Sequence, residues 1–124
     1  NLLHALGTPE PKVAILSAVE TVNASILSTV DAAGLCKMAH RKQITGGILD
    51  GPLAFDTAIS KSAAVTKELI SDVAGDADIL VAPDLEAGNM IAKQLIYLAG
   101  AESAGIVIGA TVPIILTSRA DGKL

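Results

Sequence analysis

Near the end of this sequence Ser118 and Arg119 stand side by side, directly after the apolar run Pro113-Ile-Ile-Leu-Thr117. A short strand ending there would set hydroxyls and a guanidinium at the edge of a sheet. Arginine suits phosphate because its planar donors engage two oxygens at once. A serine hydroxyl can donate a hydrogen bond to a developing oxyanion. An ordinary polar strand end with a surface arginine has the same composition, and spacing alone leaves both readings open.

A second polar set lies upstream. Ile79-Leu-Val81 is a short apolar run of the kind shown by a strand buried on both faces. Pro83 then stops strand pairing, because it has no N–H to donate. Asp84 is placed to cap a helix, and residues 89–97 read as helix. Glu86, Asn89, Lys93 and Tyr97 recur at spacings of three and four, one stripe of that helix. Asn89 and Lys93 can hold an anionic group or the amide portion of a ligand beside the helix N-terminus, whose dipole favours negative charge. A plain solvent face with a Glu–Lys pair fits the same spacing.

Other candidate groups carry less chemistry. Asp72, Asp76 and Asp78 share one segment and can bind a hard cation, but they lack the Gly and Glu positions of an EF-hand. Loop solvation accounts for them more simply. His4 and His40 have no Cys or His at ligand spacing, so no zinc or other metal site is expected. Cys36 lies beside Leu35 and Ala39 on an apolar helix face and reads as a small core residue rather than a nucleophile. Neither GxGxxG nor GxxxxGK[ST] occurs, which argues against hydride transfer to a nicotinamide in a Rossmann site.

The elements that must position these residues alternate along the chain. Residues 1–7 read as the last turns of a helix stopped by Gly7. Residues 12–17 read as a buried strand, and residues 17–28 as a loop or short helix. Ser28 or Thr29 can cap a helix running to Lys42, with Ala32, Leu35, Cys36 and Ala39 on one face and Lys37 and Arg41 outward. Gly46-Gly47 breaks it before a strand, Ile48-Leu49, that ends in Asp50-Gly51-Pro52. A third helix is predicted from Asp56 or Thr57 to Ser71, with Ile59, Ala63, Leu69 and Ile70 as core positions. Residues 104–108 and 113–117 are two further apolar runs.

This alternation implies an α/β layer fold with a largely parallel sheet. The last two runs are too close for a parallel crossover, so they should pair antiparallel and make the sheet mixed. The chain has 124 residues, enough for about one domain with a real core. Aromatics are only 2%, so the core must be built from Ala, Val, Ile and Leu. The formal net charge is −4 and no basic cluster exceeds Arg41-Lys42, which argues against a nucleic-acid or polybasic membrane surface. No apolar stretch approaches the ~18 residues of a membrane span. A single cysteine and no visible signal peptide fit a cytoplasmic setting. Both ends read as cuts within a longer protein.

Four ordered segments resemble the phosphate acetyl/butyryl transferase family. They are residues 48–59 (Ile48-Leu-Asp-Gly-Pro-Leu-Ala-Phe-Asp-Thr-Ala-Ile59), residues 77–89 with Pro83-Asp-Leu-Glu-Ala-Gly-Asn89, Leu98-Ala-Gly-Ala101 with the glycines beyond it, and residues 113–121. The wording is nearest the butyryltransferase-like branch, which includes acetyltransferases fused to an enoyl-CoA hydratase-like domain. The resemblance implies a three-layer α/β/α fold with a mixed, mostly parallel sheet, shared with isocitrate and isopropylmalate dehydrogenases. The chain would be the C-terminal portion of one such two-domain enzyme, with further phosphate-binding arginines in the preceding part.

The implied reaction moves an acetyl or butyryl group between coenzyme A and inorganic phosphate. Coenzyme A is then a substrate, no cofactor is tightly bound, and a homodimer is expected. By resemblance Ser118 contacts the oxyanion or thiol and Arg119 the phosphate. Where acetyl-specific relatives have Gly after Ser-Arg and a proposed basic Asp further on, Ala120-Asp121 follow here. Asp121 is therefore one candidate base, with the missing sequence or a non-carboxylate group as the others. Asp50, Asp84, Asn89 and Lys93 are the candidate coenzyme A or substrate contacts. The alternatives are a metal-dependent NAD(P) dehydrogenase of the same fold, using the loop acids, and an inactive truncated dimerisation domain.

Overall fold

The computed structural model describes residues 1–116, which divide into two compact units, residues 1–88 and residues 89 onward. In the first unit β1 (Lys12–Leu16) is the middle strand of a parallel sheet, with β2 (Ile48–Leu53) on one edge and β3 (Ile79–Val81) on the other. A middle strand of a parallel sheet is covered on both faces, hence its unbroken apolar run. Ala14, Ile15 and Leu16 are accordingly buried. Strand β3, at an edge, is half-buried at Ile79 and Leu80 and exposed at Val81, so the predicted two-faced burial belongs to β1 instead.

Helix α1 (Leu2–Ala5) stops as predicted: Gly7 takes φ +94°, and the N–H of Thr8 donates to the Leu3 carbonyl. Helix α2 (Leu27–His40) buries Ala32 and half-buries Leu35, Cys36 and Ala39, while Lys37 and Arg41 point outward. Its start differs from the sequence reading. Neither Ser28 nor Thr29 is the cap, because both hydroxyls are used elsewhere. Ser28 pairs with Ser17, and Thr29, fully buried, accepts from the Asn23 N–H and faces the Asn23 and Ile26 carbonyls.

Strand β2 does not end at Asp50-Gly51-Pro52 but runs through it to Leu53. Its register against β1 slips between Ala14 and Leu16, giving β2 one extra residue. Proline is tolerated at such a bulge on an edge strand, where its missing N–H breaks no ladder. Gly51 is there because α2 and β1 press on it. A Cβ at that position would lie 2.7 Å from the Ile15 carbonyl oxygen and 3.4 Å from Ala32 Cβ.

The predicted third helix is two short ones, α3 (Phe55–Ile59) and α4 (Lys61–Thr66). Ser60 between them is extended and its hydroxyl accepts from the Ala63 N–H, capping α4. The break rotates the apolar face, so Ile59 and Ile70 are exposed and the buried residues are Thr57, Ala58 and Ala64. Val73 and Ala74, inside the acidic loop, are buried instead.

Helix α5 (Leu85–Tyr97) follows β3 and continues into the second unit. There β4 (Gly105–Val107) and β5 (Ile114–Leu116) pair antiparallel, with Gly105 opposite Leu116. The antiparallel pairing is as predicted, but it forms a separate two-stranded sheet. Among the described residues a parallel and an antiparallel sheet replace the single mixed one. The two runs are joined by a short connection, and closing a short loop costs little entropy.

Gly51→Ala should destabilise the first unit by about 1–3 kcal/mol, the usual cost of overpacking against an immobile neighbour. Equilibrium urea unfolding measures this; an unchanged midpoint would show that α2 and β2 are not held in contact at Gly51.

Candidate functional site

Strands β1, β2 and β3 run parallel, so the residues that follow Leu16, Leu53 and Val81 share one edge of the sheet. In open parallel sheets this carboxyl edge is the ligand-binding side. After β3 comes Asp84, whose Oδ1 accepts from the Ala87 N–H at 2.7 Å. It caps α5 as predicted.

After β1 comes the loop of residues 17–26, fixed at three points. The hydroxyls of Ser17 and Ser28 are 2.8 Å apart, and Thr29 grips Asn23. The third point is Glu20. Its Oε1 accepts from the Thr57 hydroxyl at 3.0 Å and from Lys67 Nζ at 2.9 Å, and Lys67 also lies 3.0 Å from Asp56 Oδ2. Burial pulls the Glu20 carboxyl up, but the hydrogen bonds from Lys67 and Thr57 outweigh it and hold the group below the usual range. Lys67 is raised by Glu20 and Asp56, and Asp56 is lowered by Lys67. Sequence reasoning missed this clasp. The available signal was that Glu20 and Asp56 each follow a readable strand and so must meet at one edge.

Asp50 is placed elsewhere. It lies within β2 opposite Ala14, accepts from the Gly51 N–H, and lines a cavity of about 230 Å³ with Ser71 and Asp72. The fold does not bring it to the edge that carries Asp84. The other loop acids serve the start of β1: Asp76 pairs with the Lys12 ammonium, and Asp78 accepts from the Lys12 N–H at 2.8 Å. Lys12 is raised chiefly by its hydrogen bond to Asp76. Among the described residues no group of three or more His, Cys, Asp or Glu side chains is arranged to hold a metal ion.

In the second unit Asn89 and Lys93 do come together. Both line a cavity of about 300 Å³, one helical turn apart on α5, with Ser103, Ala104 and Leu116 completing its wall. Lys93 Nζ lies 5.9 Å from the Tyr97 ring centroid, within cation–π range. Ser103 was not singled out from sequence, where it sits in an unpatterned connection. Ser118, Arg119 and Asp121 lie outside the described residues.

Cys36 has the character of a packed thiol. Its Sγ faces the Gly51 carbonyl at 3.6 Å, and burial, reinforced by the Asp50 charge, pushes the thiol up to about 11. The thiolate is the reactive form, so alkylation by iodoacetamide at pH 8 should run about 100-fold slower in the native protein than in urea. Equal rates would mean that Cys36 is open to solvent and unshifted.

The family described as phosphate acetyl/butaryl transferase matches residues 1–123. A phosphate acetyltransferase of Rhizobium meliloti is 67% identical over 121 residues, which are 98% of this chain and 38% of that protein. A probable phosphate butyryltransferase of Bacillus subtilis is 54% identical over 98% of this chain and 40% of its own length. The crystal structure of a branched-chain phosphotransacylase from Enterococcus faecalis superposes with a TM-score of 0.86 at 38% identity, covering 97% of this chain and 43% of that one. The chain thus spans about two fifths of the length of these relatives. They establish family membership, and the expected C-terminal placement within the family is dropped. The dehydrogenase alternative is dropped too, since these relatives are transferases and two of the loop acids are committed to Lys12. No helix of the described residues is long and apolar enough to cross a membrane. By the match along nearly its whole length, the chain belongs to the phosphate acetyl/butyryl transferase family.

Proposed function

We propose that this chain is part of an acyltransferase that catalyses acyl-CoA + phosphate ⇌ acyl phosphate + CoA with a short acyl group, acetyl or butyryl. The observation that carries the reading is the 67% identity, along 98% of the chain, to a relative named phosphate acetyltransferase. The finer fold belongs to the same proposal: one domain of a two-domain enzyme with the layered fold of isocitrate and isopropylmalate dehydrogenases, its substrates held in the cleft between domains. Two such chains form the working dimer.

In the direction of acyl-CoA synthesis, a base takes the proton of the coenzyme A thiol, because the thiolate is the effective nucleophile. Asp121 is the candidate base. The thiolate sulfur attacks the acyl carbonyl of acyl phosphate and a tetrahedral oxyanion forms. Ser118 donates a hydrogen bond to that oxyanion, and a preorganised donor there is worth far more than the same bond in water. The carbonyl re-forms, the carbon–oxygen bond to phosphate breaks, and phosphate leaves against Arg119, whose fork matches two of its oxygens. Coenzyme A enters and leaves as a substrate, with no tightly held cofactor.

The cavity lined by Asn89, Lys93 and Ser103 supports a role in substrate contact. An amide, an ammonium and a hydroxyl converge on a wall that also carries Ala104 and Leu116. That mixture suits a ligand with both a polar and an alkyl portion. Leu116 immediately precedes Thr117-Ser118-Arg119 in the sequence. Asp84 acts on the wall by fixing the start of α5, and Asp50 does not share that edge.

The complete enzyme containing this segment should release free thiol from acetyl-CoA or butyryl-CoA only when phosphate is present, and absence of that release would refute the reading. Arg119→Ala should raise the phosphate KM about 10-fold or more, the loss expected for a charged hydrogen bond. Ser118→Ala should instead lower kcat by about 100-fold or more, as for other oxyanion donors. Unchanged kinetics in either variant removes that residue from the site. Residues 1–124 alone should show little turnover, and light scattering of the complete enzyme should give the mass of a dimer.

A further inference from the structure

The Glu20–Lys67–Asp56 clasp is the one ion-pair network of the described residues that joins three separate segments at the carboxyl edge. Glu20 belongs to the loop after β1, Asp56 and Thr57 to α3, and Lys67 to the chain just past α4. Its centre is well shielded: the Glu20 side chain is 17% exposed and Thr57 is fully buried. An exposed ion pair contributes little to stability. Here an exposed lysine holds two carboxylates from different segments, which fixes geometry more than it adds free energy. What it fixes is the loop of residues 17–26.

That loop has a distinct chemistry. Glu20 is its only charged residue, and Lys67 neutralises it. The outer positions are Thr21, Asn23 and Ser25, all exposed, with exposed Val22 among them. Asn23 Oδ1 accepts from the Ser25 N–H, so the donor capacity of this exposed side chain rests on its amide nitrogen. Neutral donors and acceptors with an apolar contact between them match an amide-bearing arm. They do not match a phosphate, which calls for cations.

Resting on the acyltransferase reading above, we propose that the loop of residues 17–26 recognises the amide-bearing arm of the thiol substrate, and that Lys67 is the positioning residue that holds the loop in place through Glu20. Lys67 touches no substrate. It acts on binding of one substrate and not on the chemical step, so its loss separates KM from kcat and acyl-CoA from phosphate.

The test is steady-state kinetics of the complete enzyme with each substrate varied in turn. The wild type must first show phosphate-dependent thiol release; if it does not, the acyltransferase reading itself fails, whatever the variants do. With an active wild type, Lys67→Met should raise the acyl-CoA KM about 10-fold, corresponding to the loss of one charged hydrogen bond, and leave the phosphate KM and kcat within about 2-fold. Lys67→Arg, whose guanidinium can still bridge two carboxylates, should restore the acyl-CoA KM. An unchanged acyl-CoA KM in Lys67→Met overturns the proposal. So does an equal rise in both KM values, or a fall in activity that Lys67→Arg does not repair. Should Lys67→Met not fold, Glu20→Gln, which keeps the shape and removes the charge, is read by the same criteria.

Discussion

Strand β1 is hydrogen-bonded along both edges, and the other two strands of the first unit take their register from it. With aromatics at only 2% of the chain, there are no large rings to fill space between layers. Layers built from small residues must approach closely, and the approach at Gly51, Ile15 and Ala32 shows how closely. Shape at that contact fixes where α2 lies on the sheet. The position of α2 in turn sets where the loop of residues 17–26 begins and ends, since it starts at the end of β1 and closes at the first turn of α2. The loop at the carboxyl edge is thus placed by the close packing of β2, β1 and α2 around Gly51.

Much of this was legible from sequence because the signals are local. The apolar runs at residues 12–17 and 79–81, the stop at Gly7 and the cap at Asp84 each depend on a few adjacent residues, and each appears in the structure. The misreadings at the helix ends share one cause, hydroxyls that take a different partner from the one their position suggests. Thr29 is a good cap by type, yet its hydroxyl is engaged by Asn23 across the loop. The helix predicted from Asp56 to Ser71 has no Gly or Pro to break it, but Ser60 gains more by capping α4 than by continuing α3. Once that break occurs, Ile59 and Ile70 leave the core, and the two residues that replace them sit in a segment whose acids mark it as a loop.

The site was legible in a different way. Asn89 and Lys93 share a face by helical spacing, and the cavity they line adds one more polar side chain, Ser103, which no periodicity could mark. Asp50 was attached to a strand end that proved to be a strand interior, because a proline-containing bulge extends β2 past it. The Glu20–Lys67 pair spans 47 positions, and a pair so far apart in the chain leaves no local signal at all. Only the rule that parallel strands end at a common edge could have brought Glu20 and Asp56 together on paper.

The ion pairs of the first unit tie its own segments together. Two of the lysines of the first unit are already committed: Lys12 to Asp76, and Lys67 to Glu20 and Asp56. Lys37 and Arg41 sit on the outward face of α2. A cation held by carboxylates has little left to offer a phosphate, since binding there would require the phosphate to displace an existing anion. Lys12 lies at the start of β1, at the opposite end of the sheet, so at the carboxyl edge the committed cation is Lys67, and its two carboxylates make it a clamp between segments rather than an anion site.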